Sequence, residues 1–176
     1  MRNIAKIREY LTIESTKSLV HAFVTCRLDN CNSLLVGSPS HLFQKLQRVQ
    51  NCAARLVTGQ PRFARVSPIL KELHWLPIEQ RVTFKVLLLA YKGLNGLAPE
   101  YIRQMLIPYT PSRALRSSSK HLLYTPKTSK KTYGDRAFSA AAPRLWNGLP
   151  LEIKTSSSIS IFKSRLKTFL FKLAFY

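Results

Sequence analysis

Arg113, Arg116, Lys120, Lys127, Lys130 and Lys131 follow one another through a stretch rich in serine and threonine, with Tyr124 and Tyr133 close by. Guanidinium and ammonium groups hydrogen-bond to phosphate oxygens, and hydroxyls add neutral bonds. Tyrosine rings stack on bases or pack on sugars. This set holds a polyanion but brings no nucleophile, general base or metal ligand. A second set, Lys45, Arg48 and Arg55, recurs at helical spacing with no acid to balance it. Arg136 and Arg144 complete the candidate contacts. For each, the plainer alternative is a solvated charge on a linker or on the wet flank of a helix.

The rest of the chain argues against catalysis. Its 8 acids are scattered, and no two lie within four residues of each other. Two-metal phosphoryl transfer needs carboxylates close enough to share cations. There is no His-Glu-x-x-His, no phosphate loop and no Gly-x-Ser-x-Gly elbow. Cys26, Cys31 and Cys52 make no zinc-ligand pattern and no disulfide framework. Cys26 and Cys52 read as small core residues on helix faces. No enzyme activity, cofactor, metal or small-molecule substrate is expected.

Charge points to the partner. There are 28 Lys and Arg against 8 acids, a net +20 in 176 residues. No acid lies between Asp29 and Glu72, and only Asp135 lies between Glu100 and Glu152. So large an excess repels itself in a compact state unless a polyanion neutralises it. The longest apolar run, Val86 to Tyr91, is six residues, far short of the roughly 20 that span a bilayer. With no apolar leader and an odd cysteine count, an intracellular chain is expected, nuclear or cytoplasmic and not secreted.

These charges need elements to hold them. Hydrophobic content of 45% permits a core, and the periodicity is helical. Residues 1 to about 36 read as helix, with Thr12 as an N-cap and Glu14 in the first turn. Ser38-Pro39 reads as an N-cap and first helical residue, opening a helix with a seam of Leu42, Leu46, Val49, Ala53 and Leu56 that ends at Gly59. Ser67-Pro68 starts a short helix to about Leu73. Pro77 opens a long one to about Leu94, apolar on two sides and therefore central. Ala98-Pro99 starts another, to about Leu106. His121 to Thr125 reads as a short strand or extended arm. Asp135 reads as an N-cap for a helix from Arg136 to Ala142, interrupted at Pro143, and Leu149-Pro150 closes that unit. Ser156 to Ser158 lead into a last helix with Phe162, Leu166, Phe169 and Leu173 on one face. Trp75 and Trp146 read as anchors that close the core at loop junctions. The expected fold is mostly α: a helical bundle over 1–107, a basic extended linker over 108–132, and a small C-terminal helical unit over 133–176.

Several segments resemble a known family in both order and spacing. They are Ile7-Arg8 with Tyr10-Leu11-Thr12, Leu19 to Val24, Arg27 to Leu35, Leu46 to Val57 and Leu73-His-Trp-Leu-Pro77. Further on come Tyr133-Gly-Asp-Arg-Ala-Phe138, Leu145-Trp-Asn-Gly-Leu-Pro150 and Phe162-Lys-Ser-Arg-Leu-Lys167. Together they resemble the region after the polymerase active site in LINE-type (non-LTR) retrotransposon reverse transcriptases. The resemblance implies a thumb-like bundle and C-terminal unit that grip the template–primer duplex during target-primed reverse transcription. It also implies a truncated copy, because the family's aromatic-x-Asp-Asp carboxylates and endonuclease domain lie upstream of these motifs. Asn30 stands where the family would have an aromatic. The expected partners are an RNA–DNA hybrid or a DNA or RNA duplex, together with an upstream polymerase domain. The alternative is an orphaned docking module whose apolar seams once packed on that domain. A membrane-surface role for the last basic helix is a weaker third reading.

Overall fold

The computed structural model describes residues 1–111, 120–130 and 132–176. The fold is mostly helical, as expected. The α-helices are α1 (Arg2–Lys6), α2 (Ile13–Val20), α3 (Cys26–Asp29), α4 (Ser40–Thr58), α5 (Val66–Glu72), α6 (Ile78–Leu94), α7 (Glu100–Gln104), α8 (Phe138–Asn147), α9 (Leu151–Lys154) and α10 (Ile159–Phe175). A π-helical turn, His21–Thr25, joins α2 to α3. Two compact units emerge. Unit 1 is Met1–Leu34, Ser38–Val82 and Leu170–Tyr176; unit 2 is Leu35–Gly37 and Thr83–Phe169. These units divide the chain inside α6 and inside α10, whereas the sequence division falls at 107 and 132.

Unit 1 is built on α4. The buried face of α4 is Gln50, Ala53, Ala54 and Val57, rotated away from the expected seam, and Leu42 is exposed. Two observations account for the rotation. Ala53 and Ala54 let neighbours approach closely, and Gln50 is taken inside because its polar atoms are satisfied there. Gln50 Nε2 donates to Leu76 O at 2.9 Å, and Gln50 Oε1 accepts from Gln47 Nε2 at 2.9 Å. Gln47 Oε1 in turn accepts the Ile78 N–H at 2.9 Å, one of the unpaired donors at the start of α6. Around this clasp pack Ile4, Val20, Ile69, Leu70 and Trp75, with Phe175 from the chain's last turn against them.

The ends of these helices follow local chemistry. Thr12 caps α2 as expected, its Oγ1 accepting from Ser15 N at 3.1 Å. Gly59 ends α4 at φ 67°, where a side chain would be strained. Arg8 adds a cation to the same end, donating to Leu56 O and Val57 O at 3.0 Å each. The N-caps of α4 and α5 are Pro39 and Arg65, not Ser38 and Ser67. Pro68 sits within the first turn of α5, where its missing N–H costs nothing.

In unit 2, α6 is buried around most of its girth through Val86, Leu87, Leu88, Ala90 and Tyr91. The Tyr91 and Phe162 rings stack at 4.2 Å, and Tyr91 Oη donates to Ser156 O at 2.8 Å. Helix α8 begins after Ala137, and Asp135 lies in a preceding 3-10 turn. It runs through Pro143 without a break, contrary to expectation. Pro143 is fully buried beside buried Ala140 to Ala142 and Trp146, and this packing offsets the lost backbone bond. Leu149-Pro150 does not close the unit either, because Pro150 caps α9. The buried stripe of α10 is Phe162, Leu166 and Leu170, strictly four residues apart, while Leu173 is exposed.

Candidate nucleic-acid interface

The basic segment before α8 is held by side chains of the Leu145-Trp-Asn-Gly-Leu-Pro150 motif. Trp146 Nε1 donates to His121 O at 2.9 Å. Asn147 pairs with the backbone of Leu123 as a strand would: Leu123 N donates to Asn147 Oδ1 and Asn147 Nδ2 donates to Leu123 O, both at 2.8 Å. On its other edge the segment forms an isolated antiparallel bridge between Pro108 and Leu123. Tyr109 N donates to Leu122 O at 2.9 Å, and Tyr124 N to Ile107 O at 2.8 Å. Residues 122–124, within the 121–125 stretch read as a short strand or extended arm, therefore pair as a strand does and are pinned on both sides, while His121 turns through a left-handed backbone. Leu123 is buried as the apolar anchor.

The Tyr133-Gly-Asp-Arg-Ala-Phe138 motif holds the far end. Gly134 N donates to Lys130 O at 2.8 Å, and a Cβ on Gly134 would fall 2.8 Å from Thr128 Cβ. Thr128 Oγ1 donates to Asp135 Oδ1, and Arg144 Nη2 reaches the same oxygen at 3.1 Å. Arg136 Nε donates to Val36 O at 3.2 Å, and the arginine stem lies where a Cβ on Gly37 would be. Between these two anchorages Lys127 and Lys130 are exposed, and Lys120 is exposed at the segment's start.

The eleven candidate contacts therefore fall into three groups. Lys45, Arg48, Lys120, Lys127 and Lys130 are exposed. Lys45 and Arg48 stand on the side of α4 opposite its buried face, in unit 1. Arg55, Arg136 and Arg144 make protein contacts. Arg55 Nε and Nη2 both donate to Ala64 O, at 3.1 and 2.9 Å, bracing the turn after α4. Arg113, Arg116 and Lys131 lie outside the described residues. Ion pairs do little to neutralise the field. Those found among the described residues are Lys17–Glu14, Arg81–Asp29, Arg103–Glu100 and Arg144–Asp135.

Other sequence expectations are settled by burial. Trp75 and Trp146 are core anchors, both buried. Cys26 and Cys52 are exposed and not core residues; Cys52 projects from the side of α4 away from its buried face. Among the described residues, no group of three or more His, Cys, Asp or Glu stands where it could hold a metal ion. No described helix is long and apolar enough to cross a membrane. Sequence reading missed Lys154, which is buried with its ammonium on backbone carbonyls. A lone lysine between Ile153 and Thr155 carries no periodic signal that would separate it from a surface base. No family model, curated protein or solved structure matches the chain.

Proposed function

We propose that this chain is a non-catalytic grip on nucleic-acid duplex, holding the phosphates of an RNA–DNA hybrid or a DNA or RNA duplex with little choice of sequence. The observation that carries this reading is the exposed set Lys120, Lys127 and Lys130 on a backbone fixed by Trp146, Asn147, Thr128 and Asp135. A lysine on a fixed backbone loses less entropy on meeting a phosphate than one on a free linker. The net charge of +20 supplies attraction through counterion release. The motif order supports placing the chain after the polymerase active site of a LINE-type reverse transcriptase. There an upstream domain would perform RNA-directed DNA synthesis while this region holds the template–primer. Changing Lys120, Lys127 and Lys130 together to Gln tests the assignment. The expected result is an equal loss of affinity for hybrids of different sequence, with a salt dependence shallower by about 0.9 per lost phosphate contact. Unchanged affinity, or a loss confined to one sequence, contradicts it.

A second reading is a docking module for that upstream domain. It is favoured by large apolar side chains left exposed in unit 1, among them Phe63, Tyr10 and Phe23. It predicts self-association of the isolated chain, relieved when the polymerase domain is supplied.

A further inference from the structure

Unit 2 contains a cavity of about 460 Å³, within the range of roughly 300–1,000 Å³ usual for small-ligand sites. Leu94, Pro108, Leu123 and Trp146 give it an apolar wall, and Lys154 brings a charge to it. No carboxylate is among the described residues that line it. Lys154 is only 9% exposed. Its ammonium has three N–H groups, and the contacts it makes are to Asn147 O at 3.2 Å and Lys120 O at 3.4 Å. Both are long beside the roughly 2.7–2.9 Å of a strong charge-assisted bond. Burial, and then the charge of Lys120, hold its pKa below that of an ordinary lysine. A buried ammonium served by two long bonds and, among the described residues, no counter-ion is a site that an anion completes.

The rest of the wall says what the anion is attached to. Leu94, Leu122 and Pro108 offer apolar surface to the cavity, with Trp146 and Leu123 buried behind them. Asn95 spends its amide N–H on Tyr91 O at 2.8 Å, which leaves its amide oxygen as an acceptor. His121, also on the wall, holds a left-handed backbone at φ 48°, the kind of strain that collects at ligand sites. We propose that this cavity binds a nucleoside monophosphate, either free or as the phosphorylated end of a strand, with the phosphate on Lys154 and the base against the wall of Leu94, Leu122 and Pro108. This departs from the expectation of no small-molecule ligand.

The test is NMR titration of the full ¹⁵N-labelled chain with adenosine monophosphate, with adenosine, and with a short hybrid carrying or lacking a 5′ phosphate. Adenosine monophosphate is expected to shift the Trp146 indole N–H and the Leu123 amide, with adenosine about tenfold weaker or more, as befits loss of a charged hydrogen bond. Lys154→Met should weaken the nucleotide to a similar degree, while Lys163→Met, at an exposed position of α10, leaves it unchanged. If the phosphorylated hybrid moves the same signals and the unphosphorylated one does not, the source is a strand end; if neither moves them, it is a free nucleotide. Equal binding of adenosine and its monophosphate overturns the proposal, as does a Lys154→Met protein that binds normally. Should Lys154→Met unfold, the wild-type shift map decides: shifts confined to exposed lysines also overturn it. The readout is a mononucleotide, so failure of duplex binding through Lys120, Lys127 and Lys130 leaves this result separate.

Discussion

At Trp75-Leu76-Pro77 the junction receives its polar partners from a helix; at Trp146-Asn147-Gly148-Leu149-Pro150 the junction provides them to a remote segment. Both bury the tryptophan, and both use side-chain amides to pair backbone that no regular ladder reaches. In unit 1, Gln50 and Gln47 of α4 serve Leu76 O and Ile78 N, so the clasp finishes the first turn of α6. In unit 2, Trp146 and Asn147 serve His121 O and the backbone of Leu123, so the clasp finishes a chain segment that carries exposed bases. The same residue classes thus do two jobs. One clasp closes a core, and the other fixes a surface. Only the second should matter to binding at constant fold.

The largest expected effects remove the rings. Trp75→Ala and Trp146→Ala should each destabilise by about 3–5 kcal/mol, measured by urea unfolding, and the two are not distinguished at this level. The amides separate them. Gln50→Leu leaves Leu76 O unpaired in the core and should cost about 1–3 kcal/mol, with duplex affinity per folded molecule unchanged. Asn147→Leu should cost a similar amount and also weaken duplex binding, because residues 120–130 lose an anchor. Limited proteolysis should then find new cleavage in that stretch. If Asn147→Leu leaves both affinity and cleavage as they were, the two clasps are alike and the comparison fails.

The smallest effect is one of pH, in unit 1. Burial, followed by the charges of Arg81 and Lys17, lowers the His21 pKa below 6.5, and its ring lies 5.4 Å from that of Trp75. The unfolded chain therefore binds the proton more readily than the folded one. The His21 contribution to stability should rise with pH between the lowered folded value and 6.5, and be constant on either side. Melting temperatures taken across that window should show a shallow slope that His21→Asn removes. A slope of opposite sign would mean that the imidazolium is favoured in the fold.

Much of the helical fold was legible because its signals are local. Thr12, Gly59 and the run from Pro77 to Leu94 announce their roles through capping chemistry and period. Three features were not legible, and each depends on a distant partner. The buried face of α4 turns toward Gln50 because Leu76 O, 26 residues away, accepts its amide. Helix α8 survives Pro143 because the proline is packed on all sides, which a breaker rule cannot see. The exposed cysteines were misjudged because a cysteine's apolar character says nothing about which side of a helix the core selects. Of the candidate interface, Lys45, Arg48, Lys120, Lys127 and Lys130 are exposed, which phosphate contact and the plainer solvated charge both require. Arg55, Arg136 and Arg144 are braces as well as bases, since an arginine that bonds a carbonyl looks the same in sequence as one that waits for phosphate.

The central claim is that fixed, exposed bases engage several phosphates of a duplex at once. Fluorescence anisotropy of the folded chain with an RNA–DNA hybrid, repeated across a range of salt concentrations, tests it most directly. The account predicts a log–log slope of roughly −4 or steeper, since each phosphate engaged contributes about −0.9 on duplex. No binding at low salt by a folded, soluble sample would contradict it, and the exposed apolar surface of unit 1 would then be the chain's working face.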